Sequence, residues 1–193
     1  MSELLPSWRA FLLKALHVSR SKKESKYIQL ATVDSTPAAQ VRTVVFRGWH
    51  GGTSLTVHSD ARSNKNYELL AHPRASVCWY FAKTREQFRF NVEGEVLSRS
   101  NAAHAMIIQQ HWKNLSESAQ AQYNGEQPGA IIPEPKTADV IVAAEHNQPH
   151  ENFTVLVLKP IHVDYLLLKG SPQTRIQFFL NKEGQWLETR VNP

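Results

Sequence analysis

The sequence predicts a mainly β protein with flanking helices, of the α+β class, built around a closed antiparallel barrel. Short β-type runs recur along most of the chain at hairpin spacing, separated by turn-forming segments such as Gly48 to Gly52. Helical periodicity is limited to the start of the chain, one short segment and a stretch after residue 100. Many short strands with few helices favour a barrel closed on itself over an α/β sheet.

The elements are predicted in a definite order. A helix over residues 7–18 opens the chain, because apolar residues recur there at helical spacing. The middle strands are 27–33, 38–47, 55–58, 75–81 and 87–97, and a short helix over 66–71 is stopped by Pro73. Helical patterns follow at 101–111, 116–123 and 137–145. The closing strands are 153–162, 164–168, 174–180 and 186–191.

The length and composition predict one domain. The chain has 193 residues, 41% hydrophobic and 20% charged, which is enough for one barrel core with appended helices. We expect a single domain over 1–193, with its N-terminal helix in 1–20 and a helical and loop insertion at 101–150 between barrel strands. There is no long apolar run and no leader-like pattern at the start, so we expect a cytoplasmic protein without a membrane segment.

Metal and nucleic-acid sites are not predicted. Cys78 is the one cysteine and lies in a buried-strand pattern, which favours a packed thiol. His146 and His150 have metal-pair spacing, but Pro149 interrupts a helix between them and no third ligand is apparent. The net charge is +5, yet the basic run at 20–26 is broken by serines and a glutamate and is typical of a solvated loop.

The strand that runs from Gln40 to Arg47 carries the first functional signal. Its alternation places Arg42 and Val44 on one face and Thr43 and Arg47 on the other. Apolar residues occur on both faces, so the strand is half or fully buried. A buried guanidinium at Arg42 then needs a carboxylate or a phosphate partner.

A second stretch, His58 to Lys65, predicts an anion site. A short β-type run ends at His58, and Ser59 and Asp60 are typical of a helix start. Backbone N–H groups at such a start, joined by cationic and hydroxyl side chains, form a pocket for a phosphate. The pocket residues are Ser59, Arg62, Ser63, Asn64 and Lys65. The alternative for this stretch alone is a solvated cap and first turn.

The order of these stretches resembles the pyridoxamine 5′-phosphate oxidase family. The similar segments are Arg42-Thr-Val-Val-Phe-Arg47, Ser59 to Lys65, His72-Pro-Arg-Ala-Ser-Val-Cys-Trp-Tyr80, Arg85 to Arg89 with Val92 to Val96, and the closing Gln185 to Pro193. The resemblance runs from about Tyr27 onward. It implies the antiparallel FMN-binding split β-barrel, FMN as cofactor and a homodimer with flavins at the subunit interface. Neighbouring strands also carry several aromatic residues, and we expect part of this aromatic surface to face a partner subunit; the residues are Trp79, Tyr80, Phe81, Phe88 and Phe90.

The resemblance also implies roles for residues that match the family's motifs. Arg42 resembles the arginine at the flavin phosphate and ribityl chain, and Thr43 and Val44 would offer backbone groups to the ring. Ser59, Asn64 and Lys65 correspond to the positions that bind the flavin phosphate, with Arg62 and Ser63 nearby, and His58 is also expected in the cofactor site. Either Gln87 or Arg89 corresponds to the glutamine near the flavin, and either Arg175 or Gln177 to the late residue that closes over it. Arg47 stands beside the substrate.

Two substrate segments of the family are not matched here. The stretch from Gln110 to Ser118 replaces the first, and Gln173 to Gln177 replaces the second. His111 and Trp112, with Lys113, are therefore candidates for a different substrate wall, although Trp112 at a helix end equally suits core packing. We expect an FMN-dependent oxidoreductase, related to pyridoxamine phosphate oxidases, acting on a small molecule such as a phosphorylated vitamer. The alternative is a non-catalytic flavin or haem carrier on the same fold.

Overall fold

The computed structural model describes residues 5–36, 38–132 and 148–193. Its helices are α1 (Ser7–Val18), α2 (Asn64–Ala71), α3 (Ala105–Lys113) and α4 (Glu117–Ala121). Its strands are β1 (Tyr27–Val33), β2 (Ala39–His50), β3 (Ser54–Asp60), β4 (Arg74–Phe81), β5 (Glu86–Ser98), β6 (Phe153–Leu167), β7 (Thr174–Leu180) and β8 (Trp186–Val191). Short 3-10 turns occur at Lys23–Lys26, Ala102–His104 and Gln122–Asn124.

The strands form one antiparallel sheet that closes into a barrel. The strand order is β3-β2-β1-β4-β5-β6-β7-β8, and a further pairing of β3 with β6 closes the ring. Six strands therefore make the barrel, while β7 and β8 extend the sheet beyond β6. Closure removes most open strand edges. The predicted antiparallel split barrel is confirmed.

Strand β6 was predicted as two strands but is one. Asn91 of β5 pairs with His162, and Val92 pairs with Pro160, so Ile161 is an extra residue in a β-bulge. The bulge shifts the side-chain alternation: even-numbered residues such as Leu158 face the barrel core before it, and odd-numbered residues such as Val163 after it. A change of phase within one strand looks like a strand boundary in the sequence.

The barrel interior is filled by aromatic side chains and by α1. Trp8, Leu12 and Ala15 of α1 are spaced along one helix face and are fully buried. The Trp8 ring lies 5.7 Å from that of Phe90 and 5.5 Å from that of Trp186. Of the five aromatic residues considered for a partner surface, Trp79, Phe81, Phe88 and Phe90 are buried inside the barrel, and Tyr80 is exposed. Contact of Tyr80 with a partner stays a prediction.

A second, smaller core lies under α3. Phe153, Val155 and Val157 of β6 face outward from the barrel and pack against Ile108 and Trp112 of α3. The Trp112 ring lies 5.2 Å from that of Phe153 and 5.8 Å from that of Tyr123. β6 is therefore buried on both faces over this part, which explains its nearly continuous apolar sequence.

Most predicted element positions agree with the structure. α1, β1, β7 and β8 have the predicted bounds, and α4 falls within the predicted helical stretch at 116–123. α3 overlaps the predicted stretch at 101–111 but begins at Ala105 and continues to Lys113. The predicted helix over 137–145 and His146 lie outside the described residues. None of the helices in the described ranges is long and apolar enough to cross a membrane.

The burial of Trp112 predicts a large effect on stability. We expect Trp112→Ala to lower the free energy of unfolding by about 3–5 kcal/mol, because removal of the large aromatic side chain leaves a cavity between α3 and β6. Urea denaturation followed by circular dichroism measures this change. Leu70→Ala is the control, because Leu70 is 67% exposed on α2, and it should change stability by about 0.5 kcal/mol or less. Equal stability of the two variants would contradict the packing role of Trp112.

Candidate functional site

The barrel is split between β2 and β3. The two strands pair from Phe46 with Val57 to His50 with Ser54, and the register shifts at Arg47. Beyond Val57, β3 pairs with β6 alone among the described strands, as far as Asp60 paired with Phe153. Residues 39–45 of β2 pair with β1 on one edge, and no strand within the described ranges pairs with the other. Backbone N–H and C=O groups on that edge therefore open on a cleft.

Arg42 and Glu68 connect the two sides of this cleft. The Arg42 Nη2 atom lies 2.8 Å from Glu68 Oε2 on α2. The Thr32 hydroxyl on β1 accepts a hydrogen bond from Arg42 and donates one to Glu68. The Glu68 side chain is 7% exposed and that of Arg42 is 26% exposed. The predicted partner of Arg42 is thus present within the chain, and it is a carboxylate.

Lys65 supplies a second cation beside Arg42. Its Nζ donates to Ser63 Oγ at 2.9 Å in the first turn of α2. Burial lowers the pKa of Lys65, and the nearby Arg42 cation lowers it further, whereas Asp60 and Glu68 raise it. Ser63 precedes α2 and makes no side-chain cap hydrogen bond. Glu68 neutralises one of the two cations, and the other, at a helix start, suits an anion.

A buried polar network fixes the position of Lys65. Asn66 Nδ2 donates to Ser59 Oγ and to Ser63 Oγ, both at 2.8 Å. Thr154 Oγ1 on β6 donates to Asn66 Oδ1 at 3.0 Å. Ser59 and Ser63 are 3% and 8% exposed. Their hydroxyls hold the β3–α2 junction against β6, and direct phosphate contact by either one stays a prediction.

Arg62 and Asn64 differ in their surroundings. Arg62 forms a two-point ion pair with Asp60, with Nη2–Oδ2 at 2.7 Å and Nε–Oδ1 at 3.0 Å. Its Nη1 also donates to the Gly125 carbonyl oxygen at 3.0 Å. Arg62 therefore ties the end of β3 to the segment after α4. Asn64 is exposed in the first turn of α2.

A second cavity, of about 330 Å³, lies at the Arg47 end of the stretch from Arg42 to Arg47. Arg47, at the irregular point of β2, lines it together with His50, His58 and His111. No carboxylate is present among its lining residues within the described part of the chain. The remaining lining residues are Lys26, Phe46, Gly48, Trp49, Ile107, Gln110, Asn114 and Leu115. The cavity is therefore polar and cationic.

His58 and His111 form a hydrogen-bonded pair in this cavity. His58 Nε2 lies 2.9 Å from His111 Nδ1. Burial, with His111 and Arg47 beside it, lowers the pKa of His58 to about 3. Burial, followed by the nearby His50, also lowers the pKa of His111. Both imidazoles are neutral at physiological pH.

A third group of predicted residues lies on the outer face of the sheet. Asp164 of β6 accepts hydrogen bonds from Arg89 of β5 and from Arg175 of β7, the latter at 2.7 and 3.0 Å. Burial alone would raise the pKa of Asp164, but the hydrogen bonds from Arg175 and Arg89 lower it to about 2. Gln177 reaches the same carboxylate at 3.4 Å. Gln87 shares the outer face with Arg89, so both predicted pairs of alternatives stay open.

The structure thus separates the predicted residues into three groups. Arg42, Lys65 and their neighbours line the cleft, Arg47 and His111 line the second cavity, and Arg89 and Arg175 lie on the outer face. Trp112 is fully buried in the smaller core and does not line the cavity, so we assign it to packing.

Four residues of these groups were not predicted from the sequence. Glu68 lies three residues after Lys65, a spacing that places both on one helix face, and this signal was available. Asp164 is an acidic residue inside an apolar strand, which is also a detectable anomaly. Lys26 and His50 line the same cavity only because β1 pairs with β2. A single sequence does not reveal that pairing.

Comparison with known proteins identifies the family. The family model described as pyridoxamine 5′-phosphate oxidase, FMN-binding domain, matches residues 5–98. Pyridoxine/pyridoxamine 5′-phosphate oxidase 2 of Arabidopsis thaliana is 30% identical over 191 residues, which cover 96% of this chain and 96% of that protein. The chain belongs to the pyridoxamine 5′-phosphate oxidase family.

One solved structure agrees with this assignment, and a second shares the fold. A pyridoxamine 5′-phosphate oxidase-related, FMN binding protein of Nostoc punctiforme superposes with a TM-score of 0.92 at 34% identity, covering 98% of this chain and 100% of that one. PhzG of Burkholderia lata, solved with tetrahydrophenazine-1-carboxylic acid, gives a TM-score of 0.78 at 16% identity, covering 99% and 98%. The second likeness shows the shared fold alone. Membership of the oxidase family implies that the chain binds a flavin.

The buried His58 predicts a pH-dependent stability. An unfolded histidine titrates near pH 6.5, whereas folded His58 stays neutral to about pH 3. Below pH 6.5 the unfolded state therefore binds more protons, and the folded state loses stability as the pH falls. We expect His58 to account for roughly 1–2 kcal/mol of lost stability between pH 7 and pH 5.

This prediction is tested with His58→Phe, which keeps an aromatic ring against Phe153. Denaturation at pH 7, 6 and 5 should show a shallower fall in stability for the variant than for the unsubstituted chain. His72→Gln, at an exposed histidine outside the cavity, is the control. An unchanged slope in His58→Phe would contradict the buried neutral imidazole.

Proposed function

We propose that this chain binds FMN in the cleft between β2 and β3 and acts as an FMN-dependent oxidoreductase on a small anionic substrate. One observation carries the proposal. Cationic groups flank the part of the free β2 edge that carries Thr43 and Val44, with Arg42 and Lys65 on one side and Arg47 on the other. Arg42 and Arg47 are five residues apart, or roughly 17 Å along an extended strand.

The cleft residues fit the chemistry of FMN. Lys65 and the start of α2 offer a cation and backbone N–H groups to a phosphate, and Arg42 adds charge beside them. The free edge around Thr43 and Val44 offers backbone donors and acceptors to a polar ring, as strand edges do for planar amide-like groups. When bound, FMN would supply a hydride acceptor, which is chemistry that side chains lack.

The second cavity supports an anionic substrate. Arg47 and Lys26 provide full positive charges, His50 and His111 provide imidazole nitrogens, and the described lining includes no carboxylate. A phosphate or carboxylate group held there would lie beyond the ring end of the cleft. The residues of this chain therefore bind and orient the substrate, and no acid–base pair is required of them.

We also propose a homodimer that uses the outer face of the sheet. This face has a hollow of about 460 Å³ lined by Val41, Cys78, Arg89 and Asp164 among others. Val41 and Tyr80 are 66% and 46% exposed there. Sedimentation should show a dimer that Tyr80→Glu weakens, while Met106→Glu, on α3, leaves it intact. A monomeric unsubstituted chain that still holds FMN would contradict the proposal.

The cofactor assignment predicts a selective effect of Lys65. We expect Lys65→Ala to weaken FMN binding about tenfold or more, because it removes a charge-assisted contact with the phosphate. Riboflavin has no phosphate and should bind equally well to both proteins. Lys113→Ala, which removes the same charge from an exposed site on α3, is the control. Fluorescence titration measures both ligands, and equal losses for both would reject the phosphate site.

The substrate assignment predicts slow oxidation of pyridoxamine and pyridoxine phosphates. The two segments expected to hold such substrates are replaced in this sequence, and losing two or three charged contacts costs on the order of a thousandfold in specificity. Peroxide release and pyridoxal phosphate formation by the FMN-loaded protein measure this directly. Turnover at ordinary enzymatic rates would show instead that Lys26, Arg47 and His111 replace the missing contacts.

An absorption spectrum of the purified protein separates a flavin protein from a haem carrier.

A further inference from the structure

The histidine pair His58–His111 has a geometry that fixes where its protons lie. His58 is on β3 and His111 is on α3, and their rings are perpendicular with centroids 5.0 Å apart. The His58 ring also packs edge-on against Phe153 at 5.1 Å. Its Nε2 lies 2.9 Å from His111 Nδ1, whereas its Nδ1 is buried and has no hydrogen-bond partner among the described residues.

The unpartnered nitrogen decides the tautomer of His58. A neutral imidazole carries one N–H and one bare nitrogen. A proton on Nδ1 would be a buried donor without an acceptor, which is more costly than a bare nitrogen in the same place. The proton of His58 therefore lies on Nε2 and is donated to His111 Nδ1. His111 Nδ1 is then an acceptor, and the proton of His111 lies on its Nε2.

We propose that His58 is a positioning residue that holds His111 as a neutral Nε2–H donor to the anionic group of the substrate. This inference rests on the proposed function, because it takes the cavity at Arg47 as the substrate site. His111 lines that cavity, and its Nδ1 is already used by His58, so Nε2 is the ring nitrogen that remains for a ligand. A fixed donor selects a ligand group with acceptor oxygens, such as phosphate or carboxylate.

The positive charges around the pair also favour an anionic ligand and oppose protonation of His111. Arg47 and His50 of β2 and Lys26 from the turn before β1 line the cavity with the pair. Tyr123, from the turn after α4, is held neutral because burial raises its pKa to about 12. Adding a proton to His111 would place an N–H on Nδ1 against the N–H of His58. His58 would then have to move its own proton to the buried Nδ1, so the pair resists protonation.

Nuclear magnetic resonance of the full chain, as purified and labelled with nitrogen-15 histidine, tests the tautomers. Long-range proton–nitrogen spectra should show both rings neutral and protonated at Nε2 from pH 8 to pH 5.5. His58→Phe and His111→Gln assign the signals. An Nδ1-protonated His58, or a cationic His111 at pH 6, would overturn the inference.

Sulfate tests the role toward an anion, because it keeps its charge over this pH range. A His50→Gln background removes the other exposed imidazole of the cavity. In that background, sulfate affinity should change less than about twofold between pH 8 and pH 5.5. After the further change His58→Phe, His111 is free to gain a proton, and sulfate should bind about fivefold or more tightly at pH 5.5.

The same pH response in both proteins, or a sulfate titration that leaves the His111 nitrogen signals unmoved, would reject the role toward the anion. If His58→Phe fails to fold, the tautomers measured in the unsubstituted chain alone decide whether the inference holds. Failure of the proposed function is separate, because it is seen as the absence of a flavin spectrum or of turnover. The tautomers are measured without either.

Discussion

The ion pair between Arg42 and Glu68 is the interaction on which the split of the barrel depends. Glu68 is almost fully buried, and a carboxylate in such a place must be paired and hydrogen-bonded. Arg42 and Thr32 satisfy it from β2 and β1, so α2 is held across the opening. This contact sets the position of Lys65 one turn earlier on the same helix. The geometry of the cleft and the placement of Lys65 thus depend on one set of contacts.

The barrel was predictable because its strands alternate cleanly. β1 and β7 each alternate buried and more exposed residues along most of their length, and α1 has a single apolar stripe. β6 was misread because a bulge at Ile161 reverses the alternation within the strand. The number of rings that the barrel interior holds was not predictable either, because ring volume alone does not show that α1 enters the barrel and packs against Phe90.

The site was predictable in composition and less so in pairing. Arg42 was expected to need an anionic partner, but the sequence pattern did not choose between a phosphate and Glu68. His58 and His111 were both candidates on separate grounds, for the cofactor and for the substrate wall. Their contact depends on α3 returning over β3 after 53 residues, which is a property of the tertiary fold. Trp112, next to His111, faces the opposite side of α3 and belongs to the core.

The free edge of β2 also bears on the tendency of the protein to aggregate. An unpaired strand edge is a template for a foreign strand and hence a starting point for aggregation. Soluble proteins protect such edges with inward-pointing charges, irregular backbone and short length. β2 has all three, since Arg42 points inward, the register breaks at Arg47, and pairing with β3 resumes at once. The features that keep this edge open within the described part of the chain therefore also discourage self-association through it.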